Sequence, residues 1–211
     1  MYATLFKKIQ FSAKKAVHYW DKRLQLFGLD RGFLPLYQTD AVATPEEKDW
    51  LKVYSYSGQK DSKGRAIICY TNFHLLPTHP TMWYIQTDYI LRAMWLSWEA
   101  GSIDEEVQRN GFVTIVDLLS FSARHFDTHY MRTTSDAARH AFPAKPAQIH
   151  LLSEPTWMGY ILITHQNILG HKLRSRLLSH RGDRKMVIEK LQNEYGIPAS
   201  VFLNLHMPAD T

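Results

Sequence analysis

The sequence has a single cysteine among its 211 residues, Cys69. A disulfide framework is therefore excluded, and a lone thiol in the apolar stretch RAIICY is typical of a buried side chain in a reducing compartment. No apolar run approaches the roughly 20 residues that a membrane-spanning helix needs. The chain also lacks N-glycosylation sequons, lipidation motifs and the apolar region of a signal peptide. We expect a cytoplasmic protein without a transmembrane helix.

Catalytic and nucleotide-binding signatures are missing too. There is no Walker A sequence, no G-x-G-x-x-G after a strand, and no G-x-S-x-G, H-E-x-x-H or C-x-x-C. Asp117 ends the apolar run IVDL, where sites of α/β proteins lie, although capping a turn explains it as well. His125 and His129 would share one helical face, but a metal site needs a third ligand. We therefore expect a protein that binds no metal and is not an enzyme. A hydrolase that uses Asp117, His125 and His129 is kept as an alternative.

The composition supports a large core and an anionic partner. Hydrophobic residues make up 45% of the chain and aromatic residues 13%, and the formal charge is +5. Such a charge suits either nucleic acid or an anionic membrane. No nucleic-acid recognition motif accompanies it. Lys172, Arg174 and Arg176 directly follow an apolar stretch, which is the composition of an interfacial membrane element. We expect a membrane partner and no nucleic acid.

Periodicity and turn signals predict an α/β fold with a mostly parallel sheet. Apolar runs flanked by breakers predict buried strands, and they alternate with amphipathic helices. A helix cap is predicted at Thr44, before Pro45. The predicted strands are 65–71, 112–118 and 149–152, with 199–205 as a fourth strand or an extended tail. The predicted helices are 12–27, 79–101, 127–141, 156–169 and 183–195, with 28–48 as a connecting segment and 57–64 as a polar loop.

Two neighbouring stretches suggest a more specific arrangement. FPAKPAQIHLLSEP places a short strand between prolines, and Pro155 breaks the chain before TWMGYILITHQNILG. The second stretch is apolar all round a helix, so it is buried or lies in lipid. A short helix of this kind can act as a lid between a ligand cavity and a membrane, although burial in an ordinary core explains its composition equally well.

Several motifs, in order along residues 11–200, resemble the CRAL-TRIO family of phosphatidylinositol, tocopherol and retinal carriers. They are FSAKKAVHYWDKRLQLFG, DSKGRAIICY, EEVQRNGFVTIVDL, FPAKPAQIHLLSEP and HKLRSRLLSH, the first from the family's N-terminal helical region. Within the family, they are most similar to the tocopherol and retinaldehyde carriers. The resemblance implies a short N-terminal helical segment over 1–48 and a lipid-binding domain over 49–211. It implies a bowl whose sheet floors an apolar cavity, closed by a gate helix over Thr156–Leu169.

The resemblance also implies site residues. The implied cavity residues are Leu91, Met94, Trp95, Trp98, Phe112, Val116, Phe121, Phe142 and Ile149. The implied gate residues are Trp157, Met158, Tyr160, Ile161, Leu162 and Ile163. A basic patch for phosphoinositide headgroups would comprise Arg23, Lys145, Lys172 and Arg176.

The expected function is binding and intermembrane transfer of a hydrophobic lipid, an isoprenoid or a phospholipid, by a monomer peripheral on membranes and without a cofactor. A lipid-sensing regulatory module without transfer is the alternative.

Two departures from the family pattern bear on the ligand. Ala144 stands where phosphatidylinositol carriers have an acid, and Met94 and Trp98 stand where tocopherol carriers have small serines. The first does not favour an inositol headgroup inside the cavity, and the second narrows the cavity.

Overall fold

The computed structural model describes residues 2–76, 80–125, 127–159 and 171–203, with side chains for 12–76, 86–125, 127–159 and 171–203. Helices alternate with strands along most of this length. Short 3-10 turns occur at Phe73–Leu75 and Ala123–His125, and a π-helical turn at Ala137–Ala141. The α-helices are α1 (Tyr2–Gly32), α2 (Thr39–Val42), α3 (Pro45–Leu51), α4 (Pro80–Gly101), α5 (Glu105–Asn110), α6 (Thr128–Asp136), α7 (Arg184–Tyr195) and α8 (Ser200–Leu203).

Five strands form one sheet whose spatial order follows the sequence. The outer pair is antiparallel, and the remaining pairs are parallel. The predicted α/β class with a mostly parallel sheet is confirmed. The strands are β1 (Tyr54–Lys60), β2 (Ala66–Tyr70), β3 (Phe112–Asp117), β4 (Pro146–Leu152) and β5 (Leu177–His180).

Two expectations about local structure need correction, and one strand was not predicted. Residues 57–60, predicted as part of a polar loop, belong to the edge strand β1. The strand β5 was not predicted. The stretch 199–205 was predicted as a strand or an extended tail, but its residues Ser200–Leu203 form the short helix α8. Val201 and Phe202 are buried there in the core behind the sheet, so tertiary packing determines their conformation.

Alternation along the strands separates two apolar layers. In β3, Phe112, Thr114 and Val116 share one face and Val113 and Ile115 the other, as expected for a strand. We call the first the front face; it meets α4. The second, the rear face, packs against α7, α8 and the residues between them, through Val187, Leu191, Ile197, Val201 and Phe202. Each face of the sheet therefore has its own core.

A buried carboxylate joins the N-terminal helix to the rest of the chain. Thr44 caps α3 as predicted, and the Glu47 side chain accepts from the Thr44 amide to complete a capping box. The fully buried carboxylate of Glu47 also accepts two bonds from Arg31, at 3.0 and 2.6 Å. Arg92 of α4 lies 3.0 Å from the same carboxylate. Two cations thus compensate one buried charge and connect α1, α3 and α4.

The direction of α1 changes at Gly28, where the sequence predicts a helix end. Gly28 has φ 68°, a left-handed conformation that glycine adopts without steric cost. In the part of the chain that the structure describes, no helix has the length and apolar character needed to cross a membrane.

Candidate functional site

A cavity of about 190 Å³ lies between the front face of the sheet, α4 and α6. Its wall is mainly aliphatic and aromatic. The described lining residues are Tyr54, Tyr70, Phe73, Leu76, Met94, Trp98, Phe112, Thr114, Val116, Leu118, Phe121, His125, Tyr130, Met131, Thr134, Ser135, Ala138, Pro146, Ile149, Leu151, Met158, Leu173 and Leu177.

The structure brings together six of the nine cavity residues implied by the resemblance. They come from α4, from β3 and the segment after it, and from β4, and they are Met94, Trp98, Phe112, Val116, Phe121 and Ile149. Strand alternation brings Phe112, Val116 and Ile149 to the front face of the sheet, and Met94 and Trp98 lie on the side of α4 that faces the cavity. Their contact with a ligand stays a prediction.

The other three implied cavity residues, Leu91, Trp95 and Phe142, do not line this cavity. All three are almost completely buried. Trp95 packs edge-on against Phe142 with ring centroids 5.2 Å apart, and it stacks on Tyr19 of α1. Trp95 and Phe142 pack in the contact between α1, α4 and the residue that follows the π-helical turn, on the front side of the sheet but outside the cavity. This corrects their assignment as wall residues.

Three tyrosines form a polar cluster in the cavity wall that the sequence did not indicate. The hydroxyl groups of Tyr54 and Tyr130 are 2.7 Å apart. Tyr54 and Tyr70 are opposite each other on β1 and β2, with ring centroids 5.0 Å apart. The Tyr70 hydroxyl accepts a hydrogen bond of 2.9 Å from the indole N–H of Trp98. Burial raises the pKa of all three tyrosines, so each stays a neutral hydroxyl at physiological pH.

His125 is a titratable residue in the cavity wall. Its Nδ1 accepts a 3.0 Å hydrogen bond from the Ser122 amide, which places the proton of the neutral ring on Nε2. Burial, and to a smaller extent the neighbouring His74, lower the pKa of His125. The ring is therefore neutral at pH 7 and adds no net charge to the cavity.

Two of the six implied gate residues lie within the described part of the chain. Met158 is buried and lines the cavity. Trp157 stacks on Phe121 with ring centroids 5.9 Å apart. The segment after Pro155 therefore begins directly over the cavity wall. Tyr160, Ile161, Leu162 and Ile163 lie outside the described residues, and the gate stays a prediction.

Arg23, one of the four implied basic-patch residues, is buried and serves the fold. Its guanidinium donates to the Tyr19 hydroxyl at 2.5 Å and to the Leu34 carbonyl at 2.6 Å. It also lies 3.7 Å from the carboxylate of Glu99. With these partners it is not available to a membrane, which corrects its assignment to the patch.

The remaining three patch residues lie in the segments that lead into β4 and β5. Lys145 and Lys172 are exposed, and Arg176 is half-buried. Arg176 donates to the Pro146 carbonyl at 2.7 Å, which brings it beside Lys145. Each of these cations is followed in the sequence by a residue of the cavity wall. Pro146 follows Lys145, Leu173 follows Lys172, and Leu177 follows Arg176. We call Lys145, Lys172 and Arg176 the cationic rim.

The residues of the hydrolase alternative do not come together. Asp117 is buried at the end of β3 and forms an ion pair of 2.9 Å with Arg184 of α7, behind the sheet. It also accepts from the Leu119 amide, as a turn cap does. His125 lines the cavity in front of the sheet, and His129 is exposed on α6. Among the described residues, no group of three metal-ligating side chains is found.

Comparison with known proteins identifies a family and several similar proteins. A model of the CRAL/TRIO domain matches residues 52–199. Clavesin-2 from Homo sapiens is 33% identical over 94 residues, which cover 43% of this chain and 29% of that protein. Clavesin-1 from Xenopus laevis is 31% identical over 94 residues, which are 43% of this chain and 28% of that protein. The matched part of the chain thus spans less than a third of the length of these curated relatives.

A solved structure of Sfh5 has a similar fold. The TM-score is 0.55 at 14% sequence identity, and the match covers 82% of this chain and 60% of that one. At this identity the likeness concerns the fold alone.

Proposed function

This chain belongs to the CRAL/TRIO domain family, and on that premise we propose that it binds a hydrophobic lipid in the front cavity and transfers it between membranes. The observation that supports the proposal most strongly is the apolar cavity of about 190 Å³ between sheet and helices. An unfilled apolar cavity is unfavourable, because its lining lacks partner atoms. A hydrocarbon ligand supplies those contacts.

Contact with the membrane is proposed to occur through the gate and the cationic rim. Trp157 and Met158 adjoin the cavity, and the sequence that follows them is strongly apolar. The cationic rim borders the same cavity and carries positive charge toward an anionic headgroup layer. In this proposal the protein is a monomer and peripheral to the membrane, phosphoinositides are among the lipids that attract it, and membrane contact opens the gate. We retain 1–48 as an N-terminal segment and 49–211 as the lipid-binding domain in the same proposal.

A vesicle assay tests transfer directly. Donor vesicles contain either tritiated phytol, an uncharged isoprenoid alcohol, or tritiated phosphatidylcholine. Acceptor vesicles contain neither, and the protein is added at a tenth of the labelled lipid. Movement of several labelled molecules per protein supports transfer. Binding of one equivalent without further movement indicates the lipid-sensing alternative, and neither binding nor movement contradicts the proposal.

A further inference from the structure

We infer that the front cavity selects an uncharged, mainly hydrocarbon molecule with a hydroxyl or carbonyl oxygen placed against the Tyr70 hydroxyl. This inference rests on the proposed function and narrows its ligand from lipids in general to one chemical class. Two independent features of the cavity support it, namely the charge of the wall and the hydrogen bonding of its tyrosines.

The charge of the wall disfavours ionic ligands. None of the described lining residues is Lys, Arg, Asp or Glu. Transferring an ionised group out of water is very costly unless an opposite charge or several hydrogen-bond donors compensate it. A phosphate or a carboxylate at the cavity floor would find no cation among the described wall residues, whereas an uncharged lipid avoids this cost.

The tyrosine cluster gives the wall one polar region. The Tyr70 oxygen accepts from Trp98, but the proton of Tyr70 has no hydrogen-bond acceptor among the described residues. A phenol has one proton to donate, and leaving it unpaired in an apolar wall is unfavourable. A hydroxyl or carbonyl oxygen of a ligand supplies the acceptor. The Tyr54 hydroxyl, paired with that of Tyr130, belongs to the same cluster, because the ring centroids of Tyr54 and Tyr70 are 5.0 Å apart.

The other polar side chains of the wall contribute less to this recognition. The Thr134 hydroxyl donates within its own helix, to the Tyr130 carbonyl at 3.0 Å. Met94 and Trp98 fill the wall opposite the sheet with large side chains. Thr114, His125 and Ser135 complete the polar side chains of the described wall, which is otherwise mainly hydrocarbon. A ligand with one polar group fits this pattern better than a polyol headgroup does.

Four probes test this selection with the intact chain. Farnesene, farnesol and farnesyl phosphate share a C15 isoprenoid chain and differ in the polar group, and phosphatidylcholine represents phospholipids. Dissociation constants are measured for the wild type, Tyr70→Phe and the control Tyr56→Phe, a tyrosine on β1 outside the cavity wall. We expect the wild type to bind farnesol at least tenfold more tightly than farnesyl phosphate and phosphatidylcholine. Tyr70→Phe should weaken farnesol roughly three- to tenfold, leaving farnesene nearly unchanged, because one hydrogen bond is lost.

The wild-type series decides the question even if Tyr70→Phe proves unstable through loss of the Trp98 partner. Tighter binding of farnesyl phosphate or phosphatidylcholine than of farnesol overturns the inference and leaves the proposed lipid binding intact. Equal binding of farnesene and farnesol overturns the polar contact at Tyr70. Binding of none of the four probes contradicts both the inference and the proposed function.

Discussion

His150 and His180 form a buried pair behind the sheet, with Nδ1 of His150 2.9 Å from Nε2 of His180. Their rings are stacked at 17° with centroids 5.1 Å apart, and Tyr195 of α7 packs edge-on against both. The two side chains come from the adjacent strands β4 and β5 on the rear face, and His180 is paired with Leu152, two residues after His150. At this distance the bond holds one proton, so the neutral pair fits the site and a doubly charged pair does not.

The environment of the pair opposes protonation. Burial, above all, together with His180 and then Arg65, lowers the pKa of His150 to about 3, against an opposing effect of Asp61. Burial also lowers the pKa of His180, with a smaller effect from Lys190 and an opposing one from Glu194. In the unfolded chain both histidines have pKa values near 6.5.

The first prediction is therefore a loss of stability in mild acid. Between about pH 6.5 and 3 the unfolded state binds more protons than the folded state, so the free energy of unfolding falls as the pH falls. We expect the pair to account for roughly 2 kcal/mol of that fall between pH 6.5 and 4.5. Urea unfolding at the two pH values measures it. The double variant His150→Leu, His180→Leu should show a smaller fall, and exposed His18→Asn should behave as the wild type. An identical fall in the double variant would contradict the assignment.

The second prediction concerns Cys69. Its thiol is buried on the rear face, and burial raises its pKa to about 12. Because the thiolate is the reactive form, the native protein should react very slowly with a disulfide reagent at pH 8. In concentrated guanidinium, one thiol per chain should react at once. Rapid reaction of the native protein would show that β2 is accessible from behind.

The third prediction compares two adjacent residues on opposite faces of β3. Val116 faces the cavity, so Val116→Phe should fill part of it and reduce lipid binding with little loss of stability. Ile115 is fully buried in the rear core, so Ile115→Phe should overpack that core and cost about 1–3 kcal/mol. Thermal unfolding and the binding of tritiated phytol measure both effects. A strongly destabilised Val116→Phe variant would mean that the cavity has no room for the larger side chain.

The fourth prediction concerns the cationic rim. Lys145→Ala combined with Lys172→Ala removes two exposed charges and leaves the Arg176 bond to Pro146 intact. At about 1 kcal/mol per cation, binding to phosphoinositide vesicles should weaken roughly tenfold or more, and less in high salt. The control Lys48→Ala with Lys52→Ala removes the same charge from α3 and its C-cap. Equal weakening by both pairs, or an equal loss on neutral vesicles, would contradict a specific role for the rim.

The sequence was sufficient for the three central strands of the sheet. The runs in β2, β3 and β4 are apolar on both faces, which is typical of buried parallel strands. The edge strand β1 was missed because SYSGQK is polar and contains Gly58, which lies within a register shift between Tyr56 and Lys60. β5 was missed because it has four residues. Both β1 and β5 are stabilised by pairing with a neighbouring strand of the sheet. The sequence of a short segment does not reveal such pairing.

Site residues were predictable where the direction of a side chain depends on a single strand or helix. The resemblance implied Phe112 and Val116 as cavity residues, and alternation along β3 brings both to the front face. The tyrosine cluster joins β1, β2 and α6, and its three members are far apart in sequence. The burial of Arg23 likewise depends on Tyr19, Leu34 and Glu99 meeting around it. These features arise from tertiary contacts, which no local window of the sequence contains.

The most direct test of the account is native mass spectrometry of the intact protein after incubation with vesicles that contain phytol and phosphatidylcholine. We predict a one-to-one complex with phytol that is strongly reduced in Val116→Phe and retained in Lys145→Ala, Lys172→Ala. A protein that emerges without any bound lipid, or with equal lipid in Val116→Phe and the wild type, would contradict binding in the front cavity.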